Sequence, residues 1–236
     1  MQVLILCGGK GTRAYPFTDH IPKPMLPICG TPILLHVMRI FAQQGHREFI
    51  LSVGYRKEII EDYFHRKELE WDVQLVDTGE DADTGDRVAG CRHLLRDTFF
   101  ASYADGLADV NLDALLSFHR GHGGLATITS VPLVSQYGTL CLDGGSRVTA
   151  FLEKPVLRDH WINAGFFVFD PAVFGHWEGH SLEREVFPAL AARQLLFAHP
   201  HDGFFRSLDS YKDQQEIEEM ARLGDLRWDP PKRARR

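Results

Sequence analysis

Leu6-Cys7-Gly8-Gly9-Lys10-Gly11-Thr12-Arg13 follows a short apolar run, Val3 to Leu6, and leads ten residues on to Lys23 within Pro22-Lys23-Pro24. A buried strand that empties into a glycine-rich turn is how parallel α/β sheets offer backbone N–H groups to a phosphate. Without Cβ atoms, the glycines let the backbone approach a polyphosphate closely and adopt positive φ. Arg13 and Lys23 bring cationic donors to the same place. The turn is not a Walker A loop, because Lys10 is followed by Gly11 rather than Ser or Thr. It is not a dinucleotide fingerprint either, since no third glycine stands at 13. Pro16, Pro22, Pro24 and Pro27 exclude regular helix until about Pro32. What remains is a broad phosphate loop over the C-terminal edge of a sheet.

Outward from this loop the first half alternates. Strands are expected at 3–6, 49–53, 73–76 and 98–103, and helices at 32–44, 57–64, 87–95 and after the N-cap Asn111. That order implies a mostly parallel sheet with helices on both sides. After Gly124 the pattern becomes more antiparallel. Strands are expected at 126–132, 139–142, 148–152 and 166–169, with Asp143-Gly144-Gly145 as a hairpin turn. A helix at 182–193, short strands at 195–198 and 204–207, and a helix at 211–223 complete the reading.

The chain has 236 residues, 44% hydrophobic and 25% charged, with net charge −6. The acidic balance argues against bulk nucleic-acid binding. No apolar run approaches a membrane span, and the first one is too short, and lacks a basic lead-in, for a secretory signal. Cys7, Cys29, Cys91 and Cys141 are widely spaced, which suits free thiols in the cytoplasm. His119 and His122 read as solvated or capping residues. The tail 229–236 is expected to be disordered.

Asp105 ends the fourth expected strand, beside Gly106, where a carboxylate can serve as helix cap or hold Mg²⁺ against nucleotide phosphates. Gly8 to Arg13, with Pro16, Thr18 and Pro22-Lys23-Pro24, resembles the signature of sugar-1-phosphate nucleotidyltransferases. Asp105-Gly106, Tyr137-Gly138, Glu153-Lys154-Pro155, Asn163-Ala164-Gly165 and Asp209 follow in that family's order. Leu75 to Gly79, then Thr84-Gly85 and Arg87, look most like the glucose-1-phosphate cytidylyltransferase branch.

The resemblance implies an α/β, Rossmann-like fold with a smaller antiparallel sugar-binding portion (the GT-A-like nucleotidyltransferase fold). One domain would span 1–228, with a nucleotide half at 1–124 and a sugar half at 125–228. It implies that Arg13 and Lys23 are catalytic, and that Leu6, Gly8, Gly9, Gly11, Thr12, Thr84 and Gly85 bind nucleotide. Gly138, Glu153, Lys154 and Asn163 would bind sugar phosphate. Asp105 and Asp209 would hold Mg²⁺, although Asp209 also looks like the N-cap of the last helix. Cys7 stands where the family commonly has alanine and would pack as a small buried residue. The expected reaction joins CTP and α-D-glucose 1-phosphate. GTP or UTP with mannose or heptose 1-phosphate is the enzymatic alternative, and a non-catalytic regulatory subunit is the other. A homo-oligomer without nucleic-acid or membrane partners is expected.

Overall fold

The computed structural model describes residues 1–12 and 17–229. Strand β1 (Gln2–Leu6) is buried on both faces. Val3 and Ile5 point into one hydrophobic cluster, and Leu4 and Leu6 into another on the opposite side. This is why the run is continuously apolar rather than alternating. Next come the short β2 (Pro27–Ile28) and β3 (Thr31–Pro32), then α1 (Ile33–Gln43), β4 (Glu48–Val53), α2 (Lys57–His65), β5 (Asp72–Asp77) and α3 (Thr84–Gly90). They are followed by β6 (Phe99–Tyr103), β7 (Gly106–Ala108), α4 (Leu112–His122) and β8 (Ala126–Val134). The chain continues through β9 (Thr139–Leu142), β10 (Val148–Leu152), β11 (Val156–Phe169), α5 (Phe187–Ala192), β12 (Leu196–Pro200), β13 (Phe205–Ser207) and α6 (Tyr211–Arg222).

Seven strands form one twisted sheet in the order β12-β8-β11-β6-β1-β4-β5. Neighbours β6, β1, β4 and β5 run parallel, and β11 enters antiparallel between β6 and β8. α1 packs through Leu34, Val37, Met38 and Phe41 on one face of the sheet. Val88, Val186 and Leu190 cover the other face. The sheet is therefore sandwiched between helices, as the alternating pattern implies.

Local chemistry explains where boundaries depart from expectation. α3 begins at Thr84, not Arg87, because Asp83 and Asp86 form a reciprocal capping box. Strand 166–169 is the end of the 14-residue β11. The helix expected over 182–193 is divided into a π-helical turn, Leu182–Val186, and α5. Pro188 lacks the N–H that would bond residue 184, so the first turn widens and Phe187 bonds back to Leu182 instead. Asn111 caps α4 as expected, accepting from the Ala114 N–H at 3.0 Å. Residues 230–236 of the expected disordered tail lie outside the described residues.

His119 is a core residue, not a solvated one. Its Nδ1 lies 2.9 Å from the Thr127 hydroxyl, which His122 Nε2 also reaches at 2.7 Å. His122 does cap, because its Nδ1 accepts from the Gly124 N–H. Burial holds His119 neutral and depresses its pKa to about 4, and His122 beside it adds to the effect. The folded state thus resists a proton that the unfolded chain takes up below about pH 6.5. Stability is expected to be full above that pH and to fall as the pH drops toward 4. Urea midpoints measured across this window should decline in the wild type and decline less in His119→Gln. Trp228 is 1% exposed, stacked on Phe204 and edge-on to His36. Trp228→Ala should cost about 3–5 kcal/mol in urea unfolding.

Candidate active site

The glycine loop leaves β1 at the C-terminal edge of the sheet. Its glycines have three different reasons. A Cβ on Gly8 would lie 1.9 Å from Arg87 Nη1, so the buried guanidinium needs that space. Gly9 faces open space, with backbone accessible to a ligand. Gly11 has φ +62°, and its missing side chain admits the Lys23 stem, whose Cβ would be 2.8 Å away. Lys10 ties the loop across to Glu80 and Asp81. Leu6 sits at the loop's base, 8% exposed, and Thr12 is exposed. Arg13 lies outside the described residues. Cys7 is fully buried, and burial pushes its thiol far above the usual range, so it packs as an inert apolar residue.

Lys23 opens a 3₁₀ turn, Lys23–Met25, which is closed by the Leu26 N–H donating to the Lys23 carbonyl. Its side chain is largely buried, and its ammonium donates to Asp105 and, at 3.0 Å, to Asp209. Two residues 104 apart in sequence meet here because β7 and β13 pair antiparallel, Gly106 opposite Ser207. The Leu208 N–H also donates to the Asp105 carbonyl. Asp209 is not the helix cap that its position suggests. Ser210 caps α6 in a reciprocal box with Asp213, while Ser207 donates to the other oxygen of Asp209. This arrangement leaves the Asp209 carboxylate facing the lysine.

Two hard carboxylates converging on one point fit Mg²⁺, which takes one or two protein carboxylates and completes its shell with phosphates and water. Among the described residues no three acidic, His or Cys side chains cluster as a self-sufficient metal cage.

Arg87 stood out in the sequence only as part of a motif. In the structure it is 3% exposed. Its guanidinium donates to the carbonyls of Gly8, Val53, Gly79 and Glu80 and to the Thr78 hydroxyl. One cation thus pins the glycine loop, the end of β4 and the β5–α3 loop together. Its depressed pKa reflects burial, with the Coulombic pull of Asp77, Asp83 and Asp86 opposing it.

Thr84 and Gly85 begin α3. Thr84 donates to Glu183 and accepts from the Leu182 N–H. A Cβ on Gly85 would strike the His180 carbonyl at 2.6 Å, so this glycine admits the 180–185 segment. Glu183 also accepts from Tyr103, which Asn163 Nδ2 approaches at 3.4 Å. Burial and the Glu183 carboxylate push the Tyr103 phenol well up, keeping it a donor. A chain of hydrogen bonds therefore joins Thr84 to Asn163. Asn163 Oδ1 accepts from Gly165, and the φ of +77° at Gly165 lets the Tyr103 ring lie close. Glu153 and Lys154 are exposed after β10, Lys154 with φ +47°. Gly138 faces Phe151 and Glu153.

Residues 2–198 match the Nucleotidyl transferase family. The chain belongs to that family. It is 38% identical to a probable glucose-1-phosphate cytidylyltransferase of Bacillus subtilis, over 97% of this chain and 99% of the relative. It is 34% identical to the glucose-1-phosphate cytidylyltransferase of Salmonella typhi, over 97% and 98%. A mannose-1-phosphate guanylyltransferase catalytic subunit beta of Danio rerio is 36% identical, over 90% of this chain and 62% of the relative. The fold of this nucleotidyltransferase superposes on HddC from Yersinia pseudotuberculosis with TM-score 0.72 at 22% identity, covering 93% of this chain and 99% of that one.

Arg87→Met removes charge-assisted hydrogen bonds that tie Gly8, Val53, Thr78, Gly79 and Glu80 together, bonds of a kind worth about 1.5–3 kcal/mol each, although the Gly8 and Val53 carbonyls keep the Tyr55 and Thr78 N–H donors. Arg87→Met is expected to lower unfolding stability by more than about 2 kcal/mol in urea titrations. Gly8→Ala should be destabilising for the reciprocal reason, the collision of its methyl with the same guanidinium.

Proposed function

We propose that this nucleotidyltransferase joins CTP to α-D-glucose 1-phosphate, giving CDP-glucose and pyrophosphate. The observation that carries the transfer chemistry is the convergence of Lys23, Asp105 and Asp209 beside the glycine loop. The choice of CTP and glucose rests on the end-to-end similarity to glucose-1-phosphate cytidylyltransferases. The guanylyltransferase relatives motivate GTP with mannose 1-phosphate as the second reading. A regulatory, non-catalytic role is disfavoured because Arg13, Lys23, Asp105, Lys154 and Asp209 are all present in the sequence.

A phosphate oxygen of the sugar phosphate attacks the α-phosphorus. The bond from that phosphorus to the oxygen bridging to the β-phosphate breaks, and pyrophosphate departs with the electron pair. No covalent intermediate is needed, and the protein's work is positioning and charge neutralisation. The loop's backbone N–H groups at Gly9, Gly11 and Thr12 line the triphosphate. Arg13 would stabilise the departing pyrophosphate, the role that the resemblance implies for it. Lys23 exchanges its carboxylate partners for phosphate oxygens and lies between donor and acceptor, easing repulsion between two anions. Asp105 and Asp209 would hold a divalent cation, assigned as Mg²⁺, and the cation would supply charge neutralisation at the α-phosphate. Lys154 holds the attacking phosphate as a point charge, Glu153 and Asn163 meet sugar hydroxyls, and Gly138 gives room. Thr84, Gly85 and Leu6 line the base side.

Pyrophosphate release measured over a matrix of nucleoside triphosphates and sugar 1-phosphates should be fastest for CTP with glucose 1-phosphate. Faster release with GTP and mannose 1-phosphate would reassign base and sugar, and none with any pair would sink the transferase reading. Lys23→Ala should lower kcat on the order of 10²–10³ while the protein remains folded.

A further inference from the structure

Glu183 belongs to none of the sequence motifs, yet three side chains converge on its carboxylate. Thr84 donates to Oε2 at 2.7 Å and Ser181 at 3.2 Å, and the Tyr103 phenol donates to Oε1. Thr84 opens α3, and Tyr103 ends β6 two residues before Asp105. One exposed acid therefore ties the start of α3 to the strand that leads into Asp105.

Hydrogen-bond polarity runs one way along this chain. A carboxylate only accepts, so the Tyr103 hydroxyl gives its proton to Glu183. The phenol oxygen is then left to accept, and Asn163 Nδ2 lies 3.4 Å from it. The other end of the amide is settled independently, because Asn163 Oδ1 accepts the Gly165 N–H at 2.7 Å. One Nδ2 proton is directed at Tyr103, and Nδ2 makes no other hydrogen bond among the described residues. The backbone aims the amide at the phenol. Asn163 pairs with Ser130 and Phe167 with Ile128, so four steps along β11 match two along β8. Such an irregularity bends a strand and re-aims its side chains. Gly165 lies inside it with φ +77°, and a Cβ there would stand 2.6 Å from the Tyr103 ring.

We propose that Tyr103 and Glu183 are positioning residues that hold the Asn163 amide with one N–H free for a sugar hydroxyl oxygen. This rests on the sugar-phosphate reading above. An unrestrained asparagine amide turns over and offers a donor or an acceptor. Here the carboxylate fixes the phenol, the phenol fixes the amide, and the sugar meets a donor only. One hydroxyl position is thereby read by its oxygen. A site built to hydrogen-bond a hydroxyl rejects the analogue that lacks it. Fluorine in that position accepts weakly and cannot donate, so it reports which partner is the donor.

The test measures kcat/KM for the sugar 1-phosphate that reacts fastest, and for its deoxy and fluoro analogues at each hydroxyl. The enzymes are wild type, Tyr103→Phe and Glu183→Ala, with circular dichroism melts to establish folding. In the wild type one deoxy analogue should lose about tenfold more than the others, and its fluoro counterpart should recover part of that loss. In Y103F and E183A that position-specific penalty should shrink to about twofold, with the KM for the nucleotide little changed. A merely structural role would lower kcat/KM for every analogue alike. Equal penalties at all positions, a fluoro analogue as poor as the deoxy one, or a penalty kept in both variants would overturn the proposal. A penalty lost in E183A but kept in Y103F would place Glu183 on the sugar itself and overturn the relay. The chain has two asparagines, Asn111 and Asn163, so ¹⁵N-asparagine labelling reads the amide directly. The Asn163 side-chain protons should shift in both variants, and those of the helix cap Asn111 should not. If no nucleotide and sugar pair reacts with the wild type while the Asn163 signals still depend on Tyr103, the relay stands and the transferase reading fails.

Discussion

The site depends on one ammonium held between two carboxylates. Lys23 reaches Asp105 and Asp209 from a proline-flanked 3₁₀ turn that places its stem against Gly11. The three residues come from the loop after β1, the edge of β6 and the segment before α6. They meet only because β11 carries the second half of the chain back into the sheet and β13 pairs with β7. In this arrangement the excess carboxylate charge and the lysine neutralise most of each other before any phosphate arrives. Phosphate and a divalent cation together can replace the lysine–carboxylate contacts without leaving a charge unpaired.

A second constraint supports the first. Arg87 is a buried cation whose hydrogen bonds go to four carbonyls and a hydroxyl. Burying a charge this way is tolerated because its donors are met. The space it requires accounts for Gly8 and Gly54, both of which a Cβ would drive into the guanidinium. The glycine loop is thus shaped as much by its own protein cation as by the phosphate it is proposed to bind.

Most of the sheet was legible because its central strands β1, β4 and β6 are almost wholly buried and its helices are amphipathic, with side-chain N-caps on α3, α4 and α6. The apolar run at 3–6, the alternation through α4 and the β9–β10 hairpin all follow from local rules. The departures have identifiable physical causes. β7 is three residues long and is specified by a partner a hundred residues away, so no local pattern announces it. The freedom of Asp209 from capping depends on Ser210 and Asp213 forming their own box. The Ser-x-x-Asp spacing was the available signal, but Asp209 immediately before it masked the choice. Arg87 and Glu183 act through contacts distant in sequence, so their side-chain types gave no hint of which carbonyls and hydroxyls they meet. His119 follows Leu112, Leu115 and Leu116 at helical spacing on the buried face of α4, so its spacing was the available signal; its titratable side chain suggested solvent until Thr127 is placed beside it.

The most direct test is a crystal structure of the chain with a non-hydrolysable cytidine triphosphate analogue and Mn²⁺, the metal located by its anomalous signal. The account predicts a metal peak between Asp105 and Asp209, with the Lys23 ammonium moved from both carboxylates onto phosphate oxygens. A metal bound elsewhere, with Lys23 still paired to both carboxylates beside the bound nucleotide, would contradict it.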